Sequence, residues 1–136
     1  NGCQRHEYKP NYSRVVEIDP KTDEIVWEYK ANLPSDFFSC VCCGSERLPN
    51  GNTVICESWQ GRIFEVTAEG ELVWEYISPF VGSIVGMITT MMWRAHRYAP
   101  DFPGLRGKEL DPKRLPWENR IFGPDSFNRH FTPSIF

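Results

Sequence analysis

Large apolar side chains recur at every second position in Ile25–Tyr29 and again in Leu72–Tyr76. In the first segment they are Ile25, Trp27 and Tyr29. Successive side chains of a β-strand point to opposite faces of the sheet, so a period of two predicts a strand in each segment. The 11 Pro and 10 Gly among 136 residues disfavour long helices and agree with an all-β chain.

These two strands belong to an internal repeat, because residues 13–29 match residues 61–76. The matched pairs are Arg14 with Arg62, Glu17 with Glu65, Trp27 with Trp74, and Tyr29 with Tyr76. The offset is 48 residues at the arginines and 47 at the tryptophans. A period in the forties is typical of a four-stranded β-propeller blade. We expect the repeated tryptophans to pack between blades, and the repeated glutamates to face solvent or pair with a neighbouring Arg.

Turn-forming residues divide the second unit into four strands. The Asn50-Gly51 pair predicts one hairpin and Gly70 predicts another. The strands of this unit are predicted at about residues 39–48, 53–58, 61–67 and 71–77. The first unit supplies an outer hairpin, 13–22 with 23–30, and a further innermost strand is expected within 88–98.

The strands together predict an all-β fold of about two four-stranded antiparallel β-propeller blades, part of a larger ring. Residues 1–99 would form a partial blade (1–36), a full blade (37–78) and the start of the next (79–99). Residues 100–136 would form an irregular tail, rich in Pro and aromatic residues, that packs on the propeller. A closed propeller needs at least four blades, so the remaining blades or partner chains must complete the ring. The chain starts without Met, and we expect it to be part of a longer protein.

Charge and hydropathy narrow the range of partners. The net charge of −3 argues against nucleic-acid binding, which requires a basic surface. The uncharged stretch Tyr76–Trp93 contains Pro79, Gly82 and Gly86. A membrane helix needs about 20 mostly apolar residues, so no membrane span is predicted.

The cysteines are Cys3, Cys40, Cys42, Cys43 and Cys56. An odd number leaves at least one thiol that is reduced or is paired outside the chain. The Cys40–Cys43 cluster admits three interpretations: small residues in a packed strand, a soft-metal site, or a disulfide. Such a disulfide would be vicinal or would join Cys56 or Cys3. Zinc sites usually combine two separated Cys/His pairs, and only one cluster is present here, so no metal is assigned.

The best pairing of chemically useful residues is Arg94 with His96, in the run Trp93–Tyr98. If this run is a strand, both side chains project from the same face and would suit an anion. The alternative is that both are structural and bond backbone and carboxylates between blades. The other histidines are His6, in a polar segment near the start, and His130, in the tail.

Three runs carry a family resemblance. They are Ser13–Thr22 with Ile25–Tyr29, Arg47–Glu57 with Gly61–Val66, and Trp93–Leu105. Together they resemble the C-terminal blades of arylsulfotransferase-like proteins, a family of secreted or periplasmic bacterial β-propellers. The resemblance implies transfer of a sulfuryl group from an aryl sulfate to a phenol through a sulfated histidine, without a nucleotide donor. It also implies a periplasmic or secreted location, and no cofactor is expected.

The candidate catalytic residues are therefore His96 and Arg94. A histidine nitrogen attacks sulfur and holds the group covalently, while Arg stabilises the sulfuryl oxygens. One alternative is a non-catalytic propeller that serves as a binding or structural scaffold. Another is a quinoprotein-like enzyme with a vicinal Cys42–Cys43 disulfide beside a cofactor. The fold does not decide between them, whereas convergence of His and Arg on a central channel would.

Overall fold

A computed structural model describes residues 11–84 and 86–110 of the chain. The strands in these ranges are β1 (Val15–Ile18), β2 (Ile25–Tyr29), β3 (Gly44–Arg47), β4 (Thr53–Glu57), β5 (Arg62–Val66), β6 (Leu72–Ile77), β7 (Gly82–Ile84) and β8 (Met87–Thr89). Single turns of 3-10 helix cover Pro34–Asp36, Ser58–Gln60 and Pro103–Leu105. The predicted all-β class is confirmed.

The described strands form antiparallel sheets between neighbours in sequence. Strands β3 to β6 make one four-stranded sheet in the order β3-β4-β5-β6, while β1 with β2 and β7 with β8 make separate hairpins. The four strands predicted for the second unit therefore lie side by side in one sheet. The turn between β3 and β4 is closed by hydrogen bonds from Leu48 N to Asn52 O (2.8 Å) and from Gly51 N to Leu48 O (3.0 Å). Gly51 has a φ of 89°, which glycine adopts without steric cost.

The β1–β2 and β5–β6 hairpins pair residues at the same aligned positions. The first pairs Val15 with Tyr29 and Glu17 with Trp27, and the second pairs Ile63 with Tyr76 and Glu65 with Trp74. Both ladders also shift register immediately after the glutamate. Residues directly opposite in a sheet lie on one face, so each hairpin presents a Glu and a Trp side by side.

The hydrophobic core lies between the β1–β2 hairpin and one face of the four-stranded sheet. Its buried members are Phe37, Ile55, Phe64 and Val66, and Val15, Trp27, Tyr29 and Ala31 pack against them. The rings of Phe37 and Phe64 meet edge to face, with centroids 5.4 Å apart. Burying one such side chain contributes about 1.5–3 kcal/mol. The ring of Tyr29 on β2, whose centroid is 5.7 Å from that of Phe64, holds the hairpin on the sheet.

The opposite face of the sheet is covered in part by the segment that follows β8. Met92 N donates to Ser58 O (3.1 Å), and the Sγ of Cys56 lies 3.8 Å from Met92 O. Gly61 fits closely here, because a Cβ at this position would lie 2.4 Å from Thr90 O. These contacts bring residues 92–97 beside β3, β4 and β5.

Two strand predictions differ from the structure. The strand expected at 39–48 covers only Gly44–Arg47, so the cysteine cluster lies in the preceding loop and not in a packed strand. The strand expected within 88–98 is confined to Met87–Thr89, and residues 90–99 are not in a strand. A strand needs a neighbouring strand to accept and donate its backbone hydrogen bonds, and within the described chain β8 pairs with β7 alone.

The chain divides into two compact units, one ending at Arg97 and the other beginning at Tyr98. In the second unit, the rings of Tyr98 and Phe102 have centroids 4.5 Å apart, and Phe102 N donates to Ala99 O (2.9 Å). Most of the expected tail, residues 111–136 with His130, lies outside the described residues, as do residues 1–10 with Cys3 and His6.

Candidate functional site

His96 pairs with a carboxylate on β3. Its Nδ1 lies 3.2 Å from Oε2 of Glu46 on β3, and both side chains are partly exposed. A carboxylate at Nδ1 orients the imidazole ring. This is the contact that the structural interpretation of His96 anticipates, and it is equally one that a nucleophilic histidine uses.

Arg94 also lies along β3. A Cβ built on Gly44 would sit 3.8 Å from Cγ of Arg94, so the aliphatic stem of Arg94 lies beside the first residue of the strand. His96 contacts the same strand two residues further on, at Glu46. The structure therefore places Arg94 and His96 along one strand, although the segment that carries them is not itself a strand.

Arg97, which the sequence did not single out, contacts a buried carboxylate in this region. Its guanidinium forms an ion pair with Glu65 and lies 5.5 Å from the centre of the Trp74 ring. The Glu65 side chain is only 5% exposed, whereas that of Arg97 is 49% exposed. Glu65 also accepts a hydrogen bond from Nδ2 of Asn52 (2.7 Å). The buried carboxylate is therefore satisfied from two sides, as a buried charge requires.

The same arrangement occurs at the aligned positions of the first unit. Arg47 lies 2.5 Å from Oε2 of Glu17, and its guanidinium is 4.3 Å from the centre of the Trp27 ring. We call Glu17, Trp27 and Arg47 the first triad, and Glu65, Trp74 and Arg97 the second triad. Of the two positions expected for the repeated glutamates, a solvent face or a pair with Arg, both side chains form the pair with Arg, and only Glu17 is also exposed. The signal that would have identified Arg97 is its separation of 50 residues from Arg47, close to the repeat spacing.

The two tryptophans of the triads differ in their surroundings. Trp27 packs against the core and its Nε1 donates to Ala68 O (2.7 Å). Trp74 is 44% exposed, so its expected packing is not made within the described chain. Beside Trp74 runs a groove of about 220 Å³ that Ile63, His96 and Arg97 also line. The lining combines apolar side chains with the guanidinium of Arg97 and the imidazole of His96, a combination that suits an aromatic anion.

A second ion network surrounds Arg62. Its guanidinium lies 3.1 Å from Oε2 of the buried Glu57 and 2.5 Å from Oε1 of Glu75. Glu57 also accepts a hydrogen bond from the backbone N of Phe38 (2.8 Å). Burial lowers the pKa of Arg62, but the hydrogen bonds to Glu75 and Glu57 outweigh it, and the net pKa is raised. Glu57 on β4 and Glu75 on β6 thus both bind Arg62 on β5 and hold these strands together.

The cysteines are in two oxidation states. Cys40 is disulfide-bonded, whereas Cys42, Cys43 and Cys56 carry thiols. The vicinal Cys42–Cys43 disulfide of the quinoprotein-like hypothesis is therefore not formed, nor is a bond from the cluster to Cys56. Burial raises the pKa of Cys56, and the nearby Cys43 and Cys42 raise it further. In residues 11–84 and 86–110, no group of three His, Cys, Asp or Glu side chains is arranged to hold a metal ion.

Comparison of the chain with protein-family models, curated proteins and solved structures found no match. Within the part of the chain that the structure describes, no helix has the length and hydropathy needed to cross a bilayer.

Proposed function

We propose that the chain is a segment of an arylsulfotransferase-like β-propeller, and that its described residues act as a structural scaffold between successive blades. The observation that carries this proposal is the Glu–Trp–Arg triad, which occurs at two aligned positions with the same contacts. In the first triad, Arg47 on β3 of the four-stranded sheet reaches the preceding hairpin. In the second, Arg97 reaches Glu65 of that sheet, as the first strand of a further blade would.

The charged groups of this region already form ion pairs with one another, which supports the scaffold role. Arg97 neutralises the buried Glu65, and His96 pairs with Glu46. Groups that already satisfy buried or neighbouring charges are more useful for holding elements together than for binding a transferred group. The exposed face at Trp74 would then be covered by the remaining blades or by a partner chain, as Trp27 is covered here.

Sulfuryl transfer is the second candidate, and the placement of Arg94 and His96 along the same strand favours it. In this reaction Nε2 of His96 attacks the sulfur of an aryl sulfate while the S–O bond breaks and the phenolate leaves. A phenol oxygen then attacks the same sulfur, the N–S bond breaks and the imidazole is regenerated, while the proton of that phenol passes to the phenolate released in the first step. Glu46 would stabilise the cationic ring, and Arg94 would stabilise the sulfuryl oxygens. A periplasmic or secreted location belongs with this proposal.

An assay of sulfuryl transfer from 4-nitrophenyl sulfate to a phenol separates the two functions. It is run with the folded protein, with His96→Ala and with His6→Ala as the matched histidine control, each checked by circular dichroism. The scaffold proposal predicts no transfer by any of the three proteins. Transfer that is lost in His96→Ala and kept in His6→Ala would overturn it and establish catalysis at His96.

A further inference from the structure

We propose that the loop from Cys40 to Cys43 is a thiol–disulfide exchange site, at which the thiolate of Cys43 attacks Sγ of Cys40 in its existing disulfide. A Cys40–Cys43 bond forms while the bond between Cys40 and its present partner breaks. The displaced sulfur leaves as a thiolate and takes up the proton that Cys43 released. The number of disulfides is unchanged, so the step needs neither an oxidant nor a reductant.

The oxidation states supply the reactants of this step. Cys40 is already in a disulfide, and Cys43, three residues later, carries a thiol. The sulfur bonded to Cys40 belongs to none of the other cysteines in residues 11–84 and 86–110, because Cys42, Cys43 and Cys56 all carry thiols. A disulfide with a thiol three residues away has the Cys-X-X-Cys spacing that disulfide oxidoreductases use.

The backbone of the loop favours the approach of the two sulfurs. The chain bends at Cys40 and Val41, and Cys42 has a left-handed φ of 51°. A left-handed third residue is typical of tight turns whose first and fourth Cα atoms are within about 7 Å of each other. A disulfide needs Cα atoms about 4.4–6.8 Å apart, so a turn over Cys40–Cys43 is compatible with the new bond.

Both ends of the loop are held in place. Ser39 is fully buried, and its Oγ lies 3.0 Å from Val41 O and 3.2 Å from Cys42 O. After Cys43 the chain enters β3, where Gly44 pairs with Cys56. The loop is therefore preorganised in a bent form. A strained left-handed residue that is not glycine is frequent at functional sites, which agrees with an exchange role for Cys42 and its neighbours.

Accessibility identifies Cys43 as the attacking residue. Cys43 is an exposed residue, whereas Cys56 is buried and burial raises the pKa of the Cys56 thiol. The thiolate is the nucleophile in exchange, so Cys56 is held in its unreactive form. Cys42 would have to close a smaller ring onto Cys40, across only one intervening residue.

Exchange would replace a crosslink to a sulfur outside residues 11–84 and 86–110 with one inside a four-residue loop. A disulfide stabilises the native state mainly by constraining the unfolded chain, and a short closed loop constrains it least. We therefore expect the exchanged protein to unfold at a lower temperature than the original isomer. The loop would thus respond to conditions that form thiolates, or to small thiols that start the exchange.

Peptide mapping of the full chain tests this proposal. The protein is incubated between about pH 6.5 and pH 9, where the thiolate fraction increases, then quenched with acid, alkylated and digested with trypsin. Residues 31–47 form a single tryptic peptide that contains Cys40, Cys42 and Cys43. Exchange releases this peptide from its crosslinked partner and gives it an internal disulfide, with the one alkylated cysteine at Cys42. We expect this product to increase with time and with pH.

Two variants assign the attacking sulfur. Cys43→Ser should abolish the released peptide, whereas the matched Cys42→Ser variant should still form it. The proposal is overturned if the wild-type peptide stays crosslinked at every pH, or if Cys43→Ser exchanges as fast as the wild type. Because fragmentation of the wild-type peptide locates the disulfide directly, the proposal remains testable if a variant fails to fold.

Discussion

The two triads have the same residues but different burial, and substitution of their arginines measures what that burial contributes. Arg97→Met and Arg47→Met remove the positive charge while they keep an unbranched stem against the tryptophan. In the first case Glu65, only 5% exposed, loses its cation. In the second case Glu17, which is 51% exposed, remains solvated. We expect Arg97→Met to destabilise the protein more than Arg47→Met does.

The expected magnitudes follow from the exposure of each carboxylate. Breaking a fully buried ion pair costs about 3–5 kcal/mol, whereas an exposed pair contributes about 0.2–1 kcal/mol. Arg97 is half-exposed, and Asn52 continues to donate to Glu65, so Arg97→Met should cost about 1–3 kcal/mol. Arg47→Met should cost about 0.2–1 kcal/mol. Loss of the cation over each tryptophan adds about 0.5–1 kcal/mol to both and does not change their order.

Urea denaturation followed by circular dichroism measures both free energies of unfolding. Arg106→Met, at an exposed arginine of the second unit, controls for a general change of charge. The Glu65→Gln substitution supplies a further test, because it removes the charge that Arg97→Met leaves buried. The double variant Arg97→Met with Glu65→Gln should recover part of the lost stability. An equal or larger effect of Arg47→Met, or no recovery in the double variant, would refute the argument from burial.

Three further predictions concern the core, a tight backbone contact and pH. Phe64→Ala should cost about 3–5 kcal/mol, because it empties the centre of the aromatic cluster; a urea midpoint within error of the wild type would contradict this. Gly61→Ala should destabilise by at least about 1–2 kcal/mol, since φ is left-handed there and the new methyl would meet Thr90 O; hydrogen exchange of the β5 and β6 amides should accelerate. The folded-state pKa of Cys56 is raised above its unfolded value, so the folded state holds that proton more tightly and stability should fall as pH rises through and above about 8.5. Burial also raises the pKa of Tyr29, so the loss of folding stability should continue at higher pH. Urea titrations at several pH values measure this loss, and Cys56→Ala should remove the part that occurs at lower pH.

Local patterns predicted most of the strands, because the alternating side chains and the turn residues that indicate a strand lie within it or next to it in sequence. The period of two located β2 and β6, and Asn50-Gly51 located the turn between β3 and β4, where Gly51 takes the left-handed conformation. The matched segments also predicted that two hairpins would be alike, and they pair residues at the same aligned positions. These features depend on neighbours in sequence, so they can be predicted without knowing which distant residues pack against them.

The extent of each strand depended on tertiary contacts. The strand predicted through the cysteine cluster begins only at Gly44, because Ser39 bonds the loop carbonyls that a ladder would have used. The strand predicted around His96 is not formed, because no ladder partner accompanies residues 90–99 in the described chain. Periodicity records which side chains alternate, and it carries no information on whether a second strand is present to accept the backbone hydrogen bonds.

The sequence alone determined the all-β class and the hairpin turns, whereas it placed Arg94 and His96 on one face only by assuming a strand that is not formed. Only the tertiary structure decided what His96 and Arg97 contact, because Glu46 and Glu65 are far from them along the chain. It also decided which cysteine is oxidised and which thiol is buried, since both depend on packing and on the position of a distant sulfur. The reason is physical: backbone preferences act over a few residues, whereas charge pairing, burial and disulfide formation act between residues that only folding brings together.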